Sequence, residues 1–236
     1  MSICCCDDVL RRTLSVDIVV AVRMMDAEFS STTFVIFDVE LRNQLGGPVP
    51  AAVAALALSG KDWQPLWRVH LDISEERTLS SEKPRTPRLP HELPAGSAGL
   101  ALREIERHLT TQPHRIVAAV GIVEAALLRN ERAACPTLAS LTLWDAVALG
   151  RRACPDVEGG LEQLAVKLGV HLRPGRRPAT QEAWAVAQVF QRAVERGATA
   201  GRWSKLSQLE EIAGTTPKPV EEKYLPPPAV QDSLFD

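Results

Sequence analysis

TFVIFDVE (residues 33–40) is the most informative stretch of the chain. Its β-branched and aromatic residues predict a strand. The stretch ends in two carboxylates, Asp38 and Glu40, spaced i, i+2, and a strand presents such a pair on one face. AAVAALALS (51–59) is a second apolar run, and LWRVHLDIS (66–74) alternates as a third strand. NQLGGPVP and SGKDWQP separate the three runs and read as turns. Three strands in series predict an antiparallel meander.

Residues 75–98 are rich in Pro, Ser, Glu and Arg and read as an irregular loop. ALREIERHL (101–109) has helical spacing. RIVAAVG (115–121) reads as a short buried strand before the helix EAALLRNE, and LASLTLWDAVALGRRA (138–153) as a strand running into a helix. LEQLAVKLGV (161–170) is an amphipathic helix. ATQEAWAVAQVFQRAVERG (179–197) is a long one, apolar at Ala183, Ala187, Phe190 and Val194, with Gly197 as its expected stop. Strands first, then alternating helices and strands, predict an α+β or α/β fold with a mixed sheet flanked by helices.

The pattern divides the chain into an N-terminal extension (1–29), one domain (30–197), and a helical segment with a Pro-rich tail (198–236). The extension carries little information, and Met24 and Met25 are candidate translation starts. VDIVVAV (16–22) is too short to span a membrane and has no small-residue cleavage site after it. From Gly214 onward, five prolines, several charges and no periodicity predict an extended tail that buries no core.

Composition narrows the function classes. The 236 residues include 45% hydrophobic and 24% charged side chains, which excludes wholesale disorder. A net charge of −2 argues against holding nucleic acid by a basic field alone. Aromatics at 5% argue against a stacking platform for single strands. The five cysteines show no C-x-x-C spacing, so neither a disulfide framework nor a structural zinc site is expected, and a reducing, cytoplasmic location is. The histidines are scattered, and His171 reads as a surface or packing residue. Trp144 and Trp184 read as core.

Asp38 and Glu40 carry the most specific chemistry. Two carboxylates on one strand face suit a hard divalent cation, and paired ions are a device for cleaving phosphodiesters. The same pair also occurs on ordinary strand edges without a ligand.

FVIFDVE (34–40) resembles the first motif of the DnaQ-like (DEDDh) 3′–5′ exonucleases, the family that includes the proofreading epsilon subunit of bacterial DNA polymerase III. Ala118-Ala119-Val120-Gly121-Ile122-Val123-Glu124 aligns with the second motif. LWDAVALGRRACPDVEGGLEQLAVKLGV (143–170) is similar to the stretch that follows it, and Arg177-Pro178-Ala179-Thr180-Gln181-Glu182-Ala183 aligns with the last motif. The resemblance covers roughly residues 30–197. It implies an RNase H-like fold in which Asp38, Glu40, Glu124 and Glu182 hold two Mg²⁺ or Mn²⁺ ions. It also implies a 3′–5′ exonuclease that cleaves at a single-stranded DNA 3′ end, in proofreading or repair, with RNA not excluded as substrate.

Only Asp38 and Glu40 match the motifs unchanged. Glu124 and Glu182 stand where the family has aspartates, Arg177 where it has a general-base histidine, Leu41 and Arg42 where it has threonines, and Ala119-Val120 where it has His-Asn. A guanidinium stays protonated near neutral pH and cannot activate water. Arg177 is therefore expected either to contact a phosphate or to pair with Glu182 and quench the site. The basic cluster Arg173, Arg176, Arg177 reads equally as a phosphate contact and as a solvated loop. An inactive scaffold of the same fold is the alternative function.

Gln231-Asp232-Ser233-Leu234-Phe235 resembles the bacterial sliding-clamp-binding pentapeptide, with Asp232 replacing the usual leucine. The resemblance implies that Gln231 hydrogen-bonds at a groove rim while Leu234 and Phe235 fill an apolar pocket. The expected protein partner is the clamp or a polymerase subunit, and no membrane.

Overall fold

The computed structural model describes residues 25–44, 47–73, 98–173, 175 and 177–215. The expected meander is present. β1 (Thr33–Gln44), β2 (Gly47–Ser59) and β3 (Pro65–Asp72) pair antiparallel in sequence. β1 and β2 register from Thr33 opposite Ser59 to Glu40 opposite Ala52, and a bulge follows between Glu40 and Leu41. β1 therefore continues beyond the carboxylate pair. Most of NQLGGPVP is ladder rather than turn, with Pro50 opposite Leu41 and Pro48 opposite Asn43.

β4 (His114–Ala118) lies parallel to β1 on its other side, β5 (Leu143–Asp145) lies parallel to β4, and β6 (Gly214–Thr215) closes antiparallel on β5. The described strands form one sheet in the order β3-β2-β1-β4-β5-β6. Its first five strands, 3-2-1-4-5 with only β2 reversed, have the RNase H-like arrangement. Gly214 and Thr215, expected to open the tail, instead pair with Trp144 and Leu143 at the sheet edge.

Seven α-helices are described: α1 (Ala27–Ser31), α2 (Ala98–Arg107), α3 (Ile122–Asn130), α4 (Ala146–Ala153), α5 (Leu161–Lys167), α6 (Ala179–Thr199) and α7 (Leu206–Ala213). They cover both faces of the sheet, because alternation along β1 sends apolar side chains each way. Phe34 and Ile36 join Ala54, Leu56 and Leu58 beneath α4 and α6, while Val35, Phe37 and Val39 join Val53 and Ala55 against α2 and α3. Residues before position 30 contribute too: Phe29 is fully buried in the first of these layers.

α6 does not stop at Gly197. It runs to Thr199, and Gly197 is buried within it, where an added Cβ would lie 1.9 Å from the Trp203 ring. The glycine admits Trp203, whose indole N–H donates to the Val194 carbonyl at 3.0 Å. The expected loop at 75–98 falls almost wholly outside the described residues, as does the clamp-like motif at 231–235. No described helix is long and apolar enough to cross a membrane.

Candidate functional site

Asp38 continues the row begun by Phe34 and Ile36, so it faces α6. Phe34 touches Phe190 of α6, with ring centroids 5.2 Å apart. Four strand residues from Phe34 to Asp38 rise ~13 Å, and eight helical residues from Phe190 back to Glu182 rise ~12 Å. The matched rises bring Glu182, in the first turn of α6, level with Asp38.

Glu124 arrives from the other side. Thr33 N–H donates to the Pro113 carbonyl, so by alternation the odd-numbered amides of β1 point toward β4. β4 last pairs with β1 at Ile36 and Val117. The Val39 amide thus points past the end of β4, where the first turn of α3 carries Glu124. The turn between depends on Gly121 at φ 83°, in the left-handed region, where an added Cβ would also strike Leu143. Glu124 is only 8% exposed. Burial raises its pKa, and backbone N–H groups of Glu124 itself and of Val39 act in the opposite direction.

The four carboxylates share one electrostatic neighbourhood centred on Asp38. Burial is the largest cause lifting the Asp38 pKa to about 7, and the charges of Glu124, Glu182 and Glu40 add to it in that order. Arg177 opposes them. Among the described residues, however, no three His, Cys, Asp or Glu side chains come close enough together to hold a metal ion.

Arg177 engages one of these carboxylates. Its side chain is 9% exposed, and Glu182 is 24% exposed. Nε donates to Glu182 Oε2 at 2.5 Å and Nη2 to Glu182 Oε1 at 3.3 Å, so the fork engages both oxygens. Nη2 also donates to Glu162 Oε1 at 2.7 Å, and Nη1 to the Arg173 carbonyl at 3.3 Å. These bonds raise the Arg177 pKa further and hold Glu162 below the usual carboxylate range. Of the two roles open to Arg177, the structure realises the pairing with Glu182.

Glu162, in the first turn of α5, was not legible as a site residue. Its amphipathic helix explains it fully as a solvated position, and fifteen residues separate it from Arg177.

The donor set therefore does not fit a two-ion centre as it stands. Both oxygens of Glu182 already accept from a guanidinium, and replacing those contacts leaves a largely buried cation with only the exposed Glu162 carboxylate to balance its charge. Mg²⁺ also requires near-ideal octahedral geometry, and Glu124 and Glu182 each carry a side chain one methylene longer than an aspartate. Arg177 itself is a guanidinium that stays protonated and cannot accept a proton from water.

The remaining candidates lie elsewhere. His171 is exposed, His70 faces Asp72 at 3.5 Å, and His108 stacks on Trp67. Trp144 is fully buried and Trp184 packs partly buried against the same core. Cys135 and Cys154 are free and buried, and burial pushes the Cys135 thiol up to about 12.

No protein-family model matches the chain, and no curated protein matches it. Among solved structures it is similar to a 3′-exonuclease in a structure of 3′-end-specific recognition of the histone mRNA stem-loop. The identity there is 12% and the TM-score 0.47, over 70% of this chain and 64% of that one. It is also similar to a full-length 3′-exonuclease, at 11% identity and TM-score 0.45, over 72% of this chain and 82% of that one. The chain thus spans less than two thirds of the first of these structures.

Proposed function

We propose that this chain is a non-catalytic protein of the exonuclease fold, which acts by binding rather than by hydrolysis. The observation that carries this reading is the guanidinium of Arg177 seated on Glu182, at the position where a hydrolase of this type needs both a free carboxylate and a base. Losing a general base alone costs typically about 10²–10⁴-fold in rate. Misplacing a catalytic group by about 1 Å costs ~10²-fold more.

The clustering of Glu124, Glu182 and Glu40 around Asp38 favours a second reading, a weakened 3′–5′ exonuclease with an epsilon-like role in proofreading or repair. One assay separates the two. Single-stranded DNA or RNA is incubated with the protein and Mg²⁺ or Mn²⁺, beside an Asp38→Ala/Glu40→Ala control. Equal, background-level nucleotide release from both proteins is expected. Release by the unaltered chain that the double variant lacks overturns the non-catalytic reading.

The scaffold role assigns the binding partner to the tail. Gln231, Leu234 and Phe235 are proposed to dock on a bacterial sliding clamp, and the Pro-rich tether raises the local concentration of the domain at nucleic-acid ends. Deleting residues 231–236 is expected to abolish clamp binding in a pull-down or calorimetric titration. Unchanged binding removes the clamp from the account.

A further inference from the structure

One side chain joins three segments that meet at the site. Arg177 bonds Glu162 at the start of α5, Glu182 at the start of α6, and the Arg173 carbonyl in the connection between them. Four N–H···O contacts use every nitrogen of the guanidinium, and the side chain is 9% exposed. The carboxylate oxygens it occupies are hard, anionic donors, the type that otherwise gather a divalent ion. A guanidinium is a permanent cation with a rigid planar fork, and it needs no dehydrated ion to hold two carboxylates together.

We propose that Arg177 is the resident cation of this site, tethered by its own backbone, so that the junction of α5 and α6 is independent of divalent ions in the native chain and becomes dependent on them when the guanidinium is removed. This rests on the non-catalytic reading of the same site. Because its test reads cation uptake and stability rather than hydrolysis, either can fail without the other.

The test compares the full chain with Arg177→Gln, using Mn²⁺ alone as the probe. Free Mn²⁺ is followed by electron paramagnetic resonance, and unfolding by a thermal melt in EDTA or excess Mn²⁺. The native chain is expected to leave the Mn²⁺ signal undiminished and to melt at the same temperature in both conditions. Arg177→Gln is expected to melt about 5 °C lower in EDTA and to recover part of that loss in Mn²⁺. Adding Glu182→Gln is expected to abolish the recovery, which places the ion on Glu182.

Mn²⁺ uptake by the native chain that Asp38→Asn removes overturns the proposal. So does an Arg177→Gln variant that melts lower yet ignores Mn²⁺, because the arginine is then an ordinary ion pair. Should Arg177→Gln not fold, Arg177→Lys retains the charge and is expected to match the native chain in its indifference to Mn²⁺. A Mn²⁺-induced rise in its melting temperature also overturns the proposal.

Discussion

Asp38→Asn is expected to stabilise the folded protein at neutral pH by about 2–4 kcal/mol, the benefit disappearing below pH 4. The Asp38 pKa rises from 3.8 to about 7, chiefly through burial and then through Glu124, Glu182 and Glu40. Each unit of such a shift corresponds to ~1.4 kcal/mol between the two protonation states. The sign follows from the direction. A carboxyl whose folded pKa lies above its unfolded value favours folding when protonated, so its contribution is complete below the unfolded pKa. It is lost as pH rises through the folded value. Ionised Asp38 is therefore a cost near pH 7, and asparagine removes it while retaining shape and hydrogen-bonding capacity. Urea unfolding of both proteins between pH 4 and pH 8 checks this. The difference between them should widen as pH rises, and a flat difference contradicts the electrostatic account of the site.

Phe34→Ala is expected to cost about 3–5 kcal/mol. Phe34 is fully buried and meets four rings: Phe29 at 4.9 Å, Phe190 at 5.2 Å, Trp144 at 5.7 Å and Trp63 at 5.9 Å. These rings come from α1, α6, β5 and the β2–β3 turn, so a cavity at Phe34 loosens several elements together. The tilted ring pairs also carry an attraction beyond buried area. Because Phe34 and Phe190 set the register that brings Glu182 level with Asp38, the variant should also lower the shifted Asp38 pKa toward its ordinary range. Denaturant unfolding gives the first quantity, and a carboxyl-carbon NMR titration of Asp38 gives the second.

Strand composition alone identified β1 and its two carboxylates, because alternation and β-branching are local properties. The meander was legible for the same reason, and so were α5 and α6, whose apolar periodicity spans several turns. The end of α6 was not. Gly197 has the usual composition of a helix stop, but the ring it accommodates, Trp203, lies beyond the helix and packs back on it. The extension of β1 was hidden because Leu41–Gln44 lies beyond a bulge and faces two prolines that read as turn. The motif order puts Glu124 and Glu182 with Asp38, and their charges act on Asp38 in the structure. Whether those side chains were available was not legible. That depends on the Arg177 fork, whose partners lie five and fifteen residues away and are fixed by how α5 meets α6.

Arg177 engages both carboxylate oxygens of Glu182. The most direct measurement is the exchange rate of the Arg177 Nε proton by ¹⁵N NMR at neutral pH, in the native chain and in Glu182→Ala. A bonded, largely buried Nε–H exchanges slowly with water, and removal of its acceptor should accelerate the exchange. A native Nε proton that exchanges as fast as those of exposed arginines, and is unmoved by Glu182→Ala, would contradict the closed site.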